Sequence, residues 1–289
     1  CPQVEVLAVT AVEGRVDAFN ATRNVQMLIE QLDPPRFPRI GAASPLENAP
    51  VLSERELHGE DGLGGASMAV SQLHQQHPAE KILADTIRAS SDEVTIVCLG
   101  PLTNLARAIQ REPGLEDQIG RVVIVGGGYQ VVGDVTAAAE FNMFFDPVSA
   151  RAIMRSRTTK TMIPIDVTHQ IAFSLDLLHE LPPDSTRLGF VARHAVSNLF
   201  RGYHQTMGRE TISLAGVVGM VGAIHSEILG IEEMAGDLET AGELTMGATV
   251  FDRRANASPR NKMEVAVTVD ATALRDELLR GLRKVGSSK

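Results

Sequence analysis

Cysteine is nearly absent from this 289-residue chain: the two present, Cys1 and Cys98, are too few for a disulfide framework. Cys98 falls in the apolar run 94–99, which reads as a buried strand, so a reducing compartment is expected and the chain is assigned to the cytoplasm. Uninterrupted apolar runs of the ~18–20 residues that span a bilayer are missing, as is a charged-then-apolar leader. No membrane partner is expected. The chain opens on Cys1 rather than Met, and an upstream segment is expected to precede it. Basic charge is scarce as well: 27 Lys and Arg stand against 36 Asp and Glu, giving a net charge of −9 at pH 7. A nucleic-acid backbone rewards clustered cations, so nucleic acid is excluded as the main partner and a small neutral or cationic molecule is expected.

With 44% hydrophobic residues, the chain has the make-up of an ordinary globular protein large enough to bury a sizeable core. Apolar runs at 5–9, 94–99, 121–125 and 161–165 read as strands buried on both faces. Periodic segments at 18–31, 78–89, 102–111, 148–155, 185–207 and 211–228 read as helices. Their alternation predicts an α/β fold, a doubly wound and mainly parallel sheet flanked by helices. The tail differs: 244–251 and 262–270 alternate at period two and predict a C-terminal β-hairpin, closed by an amphipathic helix over 273–285. No repeat or linker divides the chain, so residues 1–289 are expected to form one domain.

Ligands of open parallel sheets sit beyond the carboxyl ends of the strands. Four polar stretches follow such ends: Thr10 to Gly14, Gly100-Pro101-Leu102-Thr103-Asn104, Gly126-Gly127-Gly128, and Asp166-Val167-Thr168-His169. All are expected on one rim. The triple glycine could cradle a phosphate or simply form a tight turn, and it lacks the Lys-Ser/Thr of a phosphate-binding loop. Asp134, Glu140 and Asn142 follow it and place two carboxylates and an amide in one loop, against the plain alternative of a solvated loop. His58-Gly59-Glu60-Asp61-Gly62 is a second dense cluster, in which His58 is either a ligand group or a structural histidine. Asp166 and His169 could equally cap a strand end. Zinc-ligand spacing and a Gly-x-Ser-x-Gly elbow are both missing, which takes support from zinc hydrolysis and serine acyl transfer.

Taken together, His58-Gly59-Glu60-Asp61-Gly62, Gly100 to Ala106, Gly126-Gly127-Gly128, Ala139-Glu140-Phe141-Asn142 with Asp146-Pro147, and Asp166 to His169 resemble the inosine–uridine-preferring nucleoside hydrolases. Gly242 to Thr245 with Thr249 to Asp252 resembles that family's C-terminal hairpin, so the likeness spans nearly the whole chain. It implies hydrolysis of the N-glycosidic bond of a ribonucleoside, a calcium ion that holds the ribose diol and the attacking water, and a homodimer or homotetramer. By the same resemblance Glu140 and Asn142 grip ribose hydroxyls, Asp134 stands where the family usually has Asn, and His58 lies near the 5′-hydroxyl. Tyr203 and His204 fall in the region that contacts the base, where they could stack on it or protonate it; an aromatic on a helix face is otherwise core. The carbonyl of Leu99 would be a metal ligand.

The departures concern the metal. The family's Asp-rich Asp-x-Asp-Pro-Gly-x-Asp-Asp motif, which gives two ligands and the general base, is not in this chain, which is expected to begin downstream of it. Ala215 and Gly216 stand where the family has a His and a ligating Asp, and Arg15 replaces the Asn of a Gly-Asn turn. Two functions therefore compete. One is a ribonucleoside hydrolase that depends on an upstream Asp cluster; the other is a catalytically impaired relative that binds a ribosyl compound or serves in assembly.

Overall fold

The computed structural model describes residues 4–50, 55–66, 68–71, 76–254 and 261–286. Along these the chain forms β1 (Ala8–Thr10), α1 (Ala18–Leu32), β2 (Arg39–Ala42), α2 (Arg55–His58), β3 (His77–Pro78), α3 (Ala79–Ala89), β4 (Thr95–Cys98), α4 (Thr103–Arg111), β5 (Arg121–Val125), α5 (Phe141–Phe145) and α6 (Pro147–Arg155). It continues with β6 (Lys160–Ile163), α7 (Ile165–Thr168), α8 (Leu177–Glu180), α9 (Arg187–Met207), α10 (Ala215–Ile224), β7 (Leu229–Leu238), β8 (Thr249–Asp252), β9 (Lys262–Val269) and α11 (Ala271–Gly286). Among the described residues no helix is long and apolar enough to cross a membrane. The chain divides into two compact units, one of Cys1–Ile82, Ala172–Leu214 and Arg275–Lys289, the other of Leu83–Ile171 and Ala215–Leu274.

In the first unit β1, β2 and β3 pair in parallel, with Val9 opposite Ile40. Helix α1 starts at Asp17, whose carboxylate accepts from the Asn20 amide at 2.8 Å, a side-chain cap that satisfies an orphan N–H. It buries Ala18, Ala21, Met27 and Ile29 along one stripe. The long helix α9 is capped by Thr186 and stops at Gly208, where φ is 62°. It holds the α2 segment through Asn198, whose amide donates to the Leu57 carbonyl at 3.1 Å.

The second unit is built on a sheet of order β4-β5-β6-β9-β7-β8. Strands β4, β5, β6 and β9 run parallel, and β7 lies antiparallel between β9 and β8. After Arg121, strand β5 is apolar, because both faces of Val122 to Val125 are covered. Val122 and Ile124 enter a cluster with Leu105, Ile153 and Met154 of α4 and α6, while Val123 enters another with Val167 of α7 and Leu229. Helix α10 comes in closely: a Cβ at Gly219 would meet Val125 at 2.2 Å, and one at Gly222 would meet Ile163 at 3.2 Å.

Three local expectations are corrected. The strand expected at 5–9 is shorter and shifted, to Ala8–Thr10. The strand expected at 161–165 ends at Ile163, because Pro164 stops the ladder and serves as N-cap of α7, so Asp166 to Thr168 are helical. The two segments expected to pair as a tail hairpin do not pair with each other: β8 and β9 both bond to β7. The antiparallel tail is present, and its central strand was hidden in a segment whose charges, Glu232 and Glu233, fall on exposed positions of β7.

Candidate functional site

At the carboxyl end of β5 the chain turns through Gly126 (φ 144°) and Gly127 (φ 72°), conformations open to glycine and strained for other residues. A Cβ on Gly126 would lie 2.6 Å from Glu140 Oε2. The next five backbone amides all donate to side chains of the chain itself. Gly127 donates to Glu140 Oε2 at 2.9 Å and Gly128 to Thr249 Oγ1 at 2.8 Å. Tyr129 donates to Asp166 Oδ2 at 2.9 Å, and Gln130 and Val131 donate to Asp166 Oδ1 at 2.9 and 3.0 Å. A phosphate cradle needs such N–H groups pointed at the ligand. Here they are committed, and the tight-turn alternative for the triple glycine fits.

Glu140 is the N-cap of α5. Its Oε2 also accepts from the amides of Asn142 at 3.0 Å and Met143 at 3.3 Å. All three amide bonds fall on Oε2, which leaves Oε1 without a partner among the described residues. The residue keeps some surface, yet its carboxyl is densely surrounded. Burial, then the charge of Asp134, push it up to about 7, and the three amide bonds pull the other way. Asp134 is exposed and accepts from the Phe141 amide at 2.8 Å, which brings it to the start of the same helix. Asn142 is buried; its amide nitrogen donates to the Val125 carbonyl at 2.8 Å and to the Leu99 carbonyl at 3.4 Å, tying the ends of β5 and β4 together. The structure thus gathers Asp134, Glu140, Asn142 and the Leu99 carbonyl at the ends of two adjacent parallel strands. Beside them lies a cavity of about 150 Å³ lined by Gly128, Gln130, Val131, Glu140, Ile165 and Thr249, among others.

Other residues of the quoted motifs have structural duties. Thr103 donates to buried Asp146 at 2.7 Å, and Asp146 caps α6 through the Ser149 amide at 3.0 Å, with Pro147 in the first turn. Asp166 binds loop amides rather than capping a strand, and His169 is exposed at the end of α7. Thr249, which the sequence marks only as part of the tail motif, reciprocates its bond from Gly128 by donating to the Gly128 carbonyl. No local pattern announces it, because its partner lies 121 residues away.

His58, Arg15, Tyr203 and His204 belong to the first unit. His58 ends α2 and is half-buried; desolvation first, then the Arg15 charge, lower its pKa to about 4, so it is neutral at physiological pH. On α9, Tyr203 is half-buried and His204 is exposed, with its Nδ1 3.1 Å from Glu210.

The oxygen and nitrogen donors among the described residues do not make up a metal site. Ala215 and Gly216, at the first turn of α10, carry no ligating side chain, and nothing lies within 4 Å of a Cβ built on Gly216. Among the described residues no group of three or more His, Cys, Asp or Glu is arranged to hold an ion. A divalent ion that wants six to eight oxygens would find one backbone carbonyl, that of Leu99, in the position the resemblance assigns.

Comparison with known proteins places this geometry. The family model described as inosine-uridine preferring nucleoside hydrolase matches residues 1–276, and the chain belongs to that family. It is 26% identical to the inosine-uridine preferring nucleoside hydrolase of Crithidia fasciculata, over 99% of this chain and 91% of that protein. It is 30% identical to the non-specific ribonucleoside hydrolase RihC of Salmonella enteritidis, over 95% of this chain and 88% of the relative. Among solved structures it superposes on a plant nucleoside hydrolase, PpNRh1, with a TM-score of 0.87 and 25% identity, covering 99% of this chain and 92% of the other. The relatives are named as nucleoside hydrolases, which are glycosidases, and the chain is assigned to that class of enzyme.

Proposed function

We propose that the loop from Gly126 to Asn142 recognises ribose, and that the chain hydrolyses ribonucleosides to base and ribose. One observation carries the reading: Glu140 and Asn142 are fixed side by side at the carboxyl end of β5, with Glu140 Oε1 left over for a ligand. A carboxyl poised near 7 can accept from or donate to a sugar hydroxyl, and the exposed Asp134 carboxylate supplies a further acceptor. The reaction breaks the C1′–N bond, adds water at C1′ and leaves a proton on the base. As C1′ gains positive charge, carboxylates around the sugar favour that charge over the neutral ground state. Calcium is the ion the resemblance implies. The described residues do not assemble its site, so they are assigned here to binding and to charge stabilisation only. By the resemblance alone, the neutral His58 is assigned to the 5′-hydroxyl and Tyr203 and His204 to the base. The whole chain is taken as one functional domain, cytoplasmic, and a homodimer or homotetramer, on the family likeness alone.

A second reading is favoured by Ala215 and Gly216: a family member that binds a ribosyl compound without cleaving it. One experiment separates the two. Uridine and inosine are titrated calorimetrically and then incubated with the protein and calcium while reducing sugar is followed. Ribose release that disappears in Asn142→Ala supports the hydrolase. Binding without release supports the second reading, and no binding refutes the ribose site.

A further inference from the structure

We propose that Asp166 is a positioning residue, which holds the loop bearing Asp134 and Glu140 by taking the backbone amides of Tyr129, Gln130 and Val131. The inference rests on the ribose-site reading above. Asp166 sits in the first turn of α7, 8% exposed, where a carboxylate would ordinarily serve its own helix. Its two oxygens are turned to the loop instead, one on Tyr129 and one shared by Gln130 and Val131. The Ile165 amide donates to the Gly127 carbonyl at 2.8 Å, so α7 grips the loop from both of its polar sides. Immediately before this grip stand Gly127, bonded to Glu140, and Gly128, bonded to Thr249. Loss of the Asp166 bonds frees the segment that leads directly into Asp134, while the Gly127 end remains pinned.

The Tyr129 phenol is raised by burial and by the Asp166 charge, with the Arg253 guanidinium, 5.8 Å from the Tyr129 ring, working in the opposite direction and Glu232 adding a smaller upward push. Asparagine cannot replace aspartate here. One of its two terminal atoms is an NH₂ donor, which would confront at least one loop N–H.

The test compares the parent with Asp166→Asn and Asp166→Ala, reading amide hydrogen exchange over 129–131 and calorimetric affinity for uridine. Both variants are expected to exchange these amides about tenfold faster or more, and to bind uridine about tenfold more weakly, a change of about 1.4 kcal/mol. Formate added to Asp166→Ala should return part of both, because a free carboxylate can refill the amide cluster; a merely destabilised fold would gain nothing from it. Unchanged exchange at 129–131 overturns the inference whatever the parent binds. Fast exchange with undiminished affinity also overturns it. A parent that binds no ribonucleoside refutes the ribose-site reading separately, and the exchange result then stands as the measure of Asp166 holding the loop.

Discussion

Glu140 offers the sharpest test of the site's electrostatics. In Glu140→Gln the side-chain oxygen can take the place of Oε2, where the amides of Gly127, Asn142 and Met143 all converge, so the bonds at 2.9, 3.0 and 3.3 Å can persist without the charge. The carboxyl of the parent is raised from its ordinary 4.5 to about 7. Between those values the folded state binds more protons than the unfolded one, so stability falls as pH rises through this window and is fully present below it. At about 1.36 kcal/mol per pH unit this amounts to roughly 3 kcal/mol by pH 8, reduced toward about 2 kcal/mol by the solvent that still reaches Glu140. Urea denaturation of parent and variant at pH 5 and pH 8 measures it. Glu140→Gln should gain about 2–3 kcal/mol on the parent between the two, with an unchanged denaturant slope. Parallel pH curves would show that neither burial nor Asp134 disfavours the charge, and the site would then hold an ordinary carboxylate.

The remaining expectations concern other elements. Gly219→Ala places a methyl 2.2 Å from Val125 Cγ2; overpacking exceeds the helix-propensity gain, and thermal or urea unfolding should show a loss of about 1–2 kcal/mol. The His58 imidazole should titrate near 4 in an NMR pH series, and Arg15→Gln should raise its midpoint while leaving it below 6.5, because burial is the larger cause; no movement would remove Arg15 as a contributor. Calcium should bind this chain no more tightly than the ~10⁻⁴–10⁻³ M of weak sites, and Ala215→His with Gly216→Asp should tighten it, since an added carboxylate is an added hard ligand. A calorimetric constant unmoved by the double substitution would mean that position 216 does not face an ion.

Much of the second unit could be read from the residues because its signals are local. Val122 to Val125 carry no polar residue, which follows from helices on both faces, and Glu140 with Asn142 stand close in sequence after that strand. What escaped depends on partners distant in the chain. Thr249 finds Gly128 across 121 positions and Thr103 finds Asp146 across 43, and neither pairing leaves a trace in periodicity. Strand β7 escaped because Glu232 and Glu233 interrupt its apolar pattern, and because its register slips between Gly230 and Ile231. Asp166 looked like a candidate for chemistry or a strand cap, and its part in holding the loop becomes visible once three amides are seen to converge on it.

The depth of α10 against the sheet is set by glycine, at Gly219 on Val125 and Gly222 on Ile163, whereas a Cβ at residue 216 would meet nothing within 4 Å. The scaffold therefore leaves room for a side chain to begin at that position. A lineage could change residue 216 without a clash at the first side-chain atom. Selection for folding would place little constraint on that position, and the demands made on the site would decide which residue it keeps.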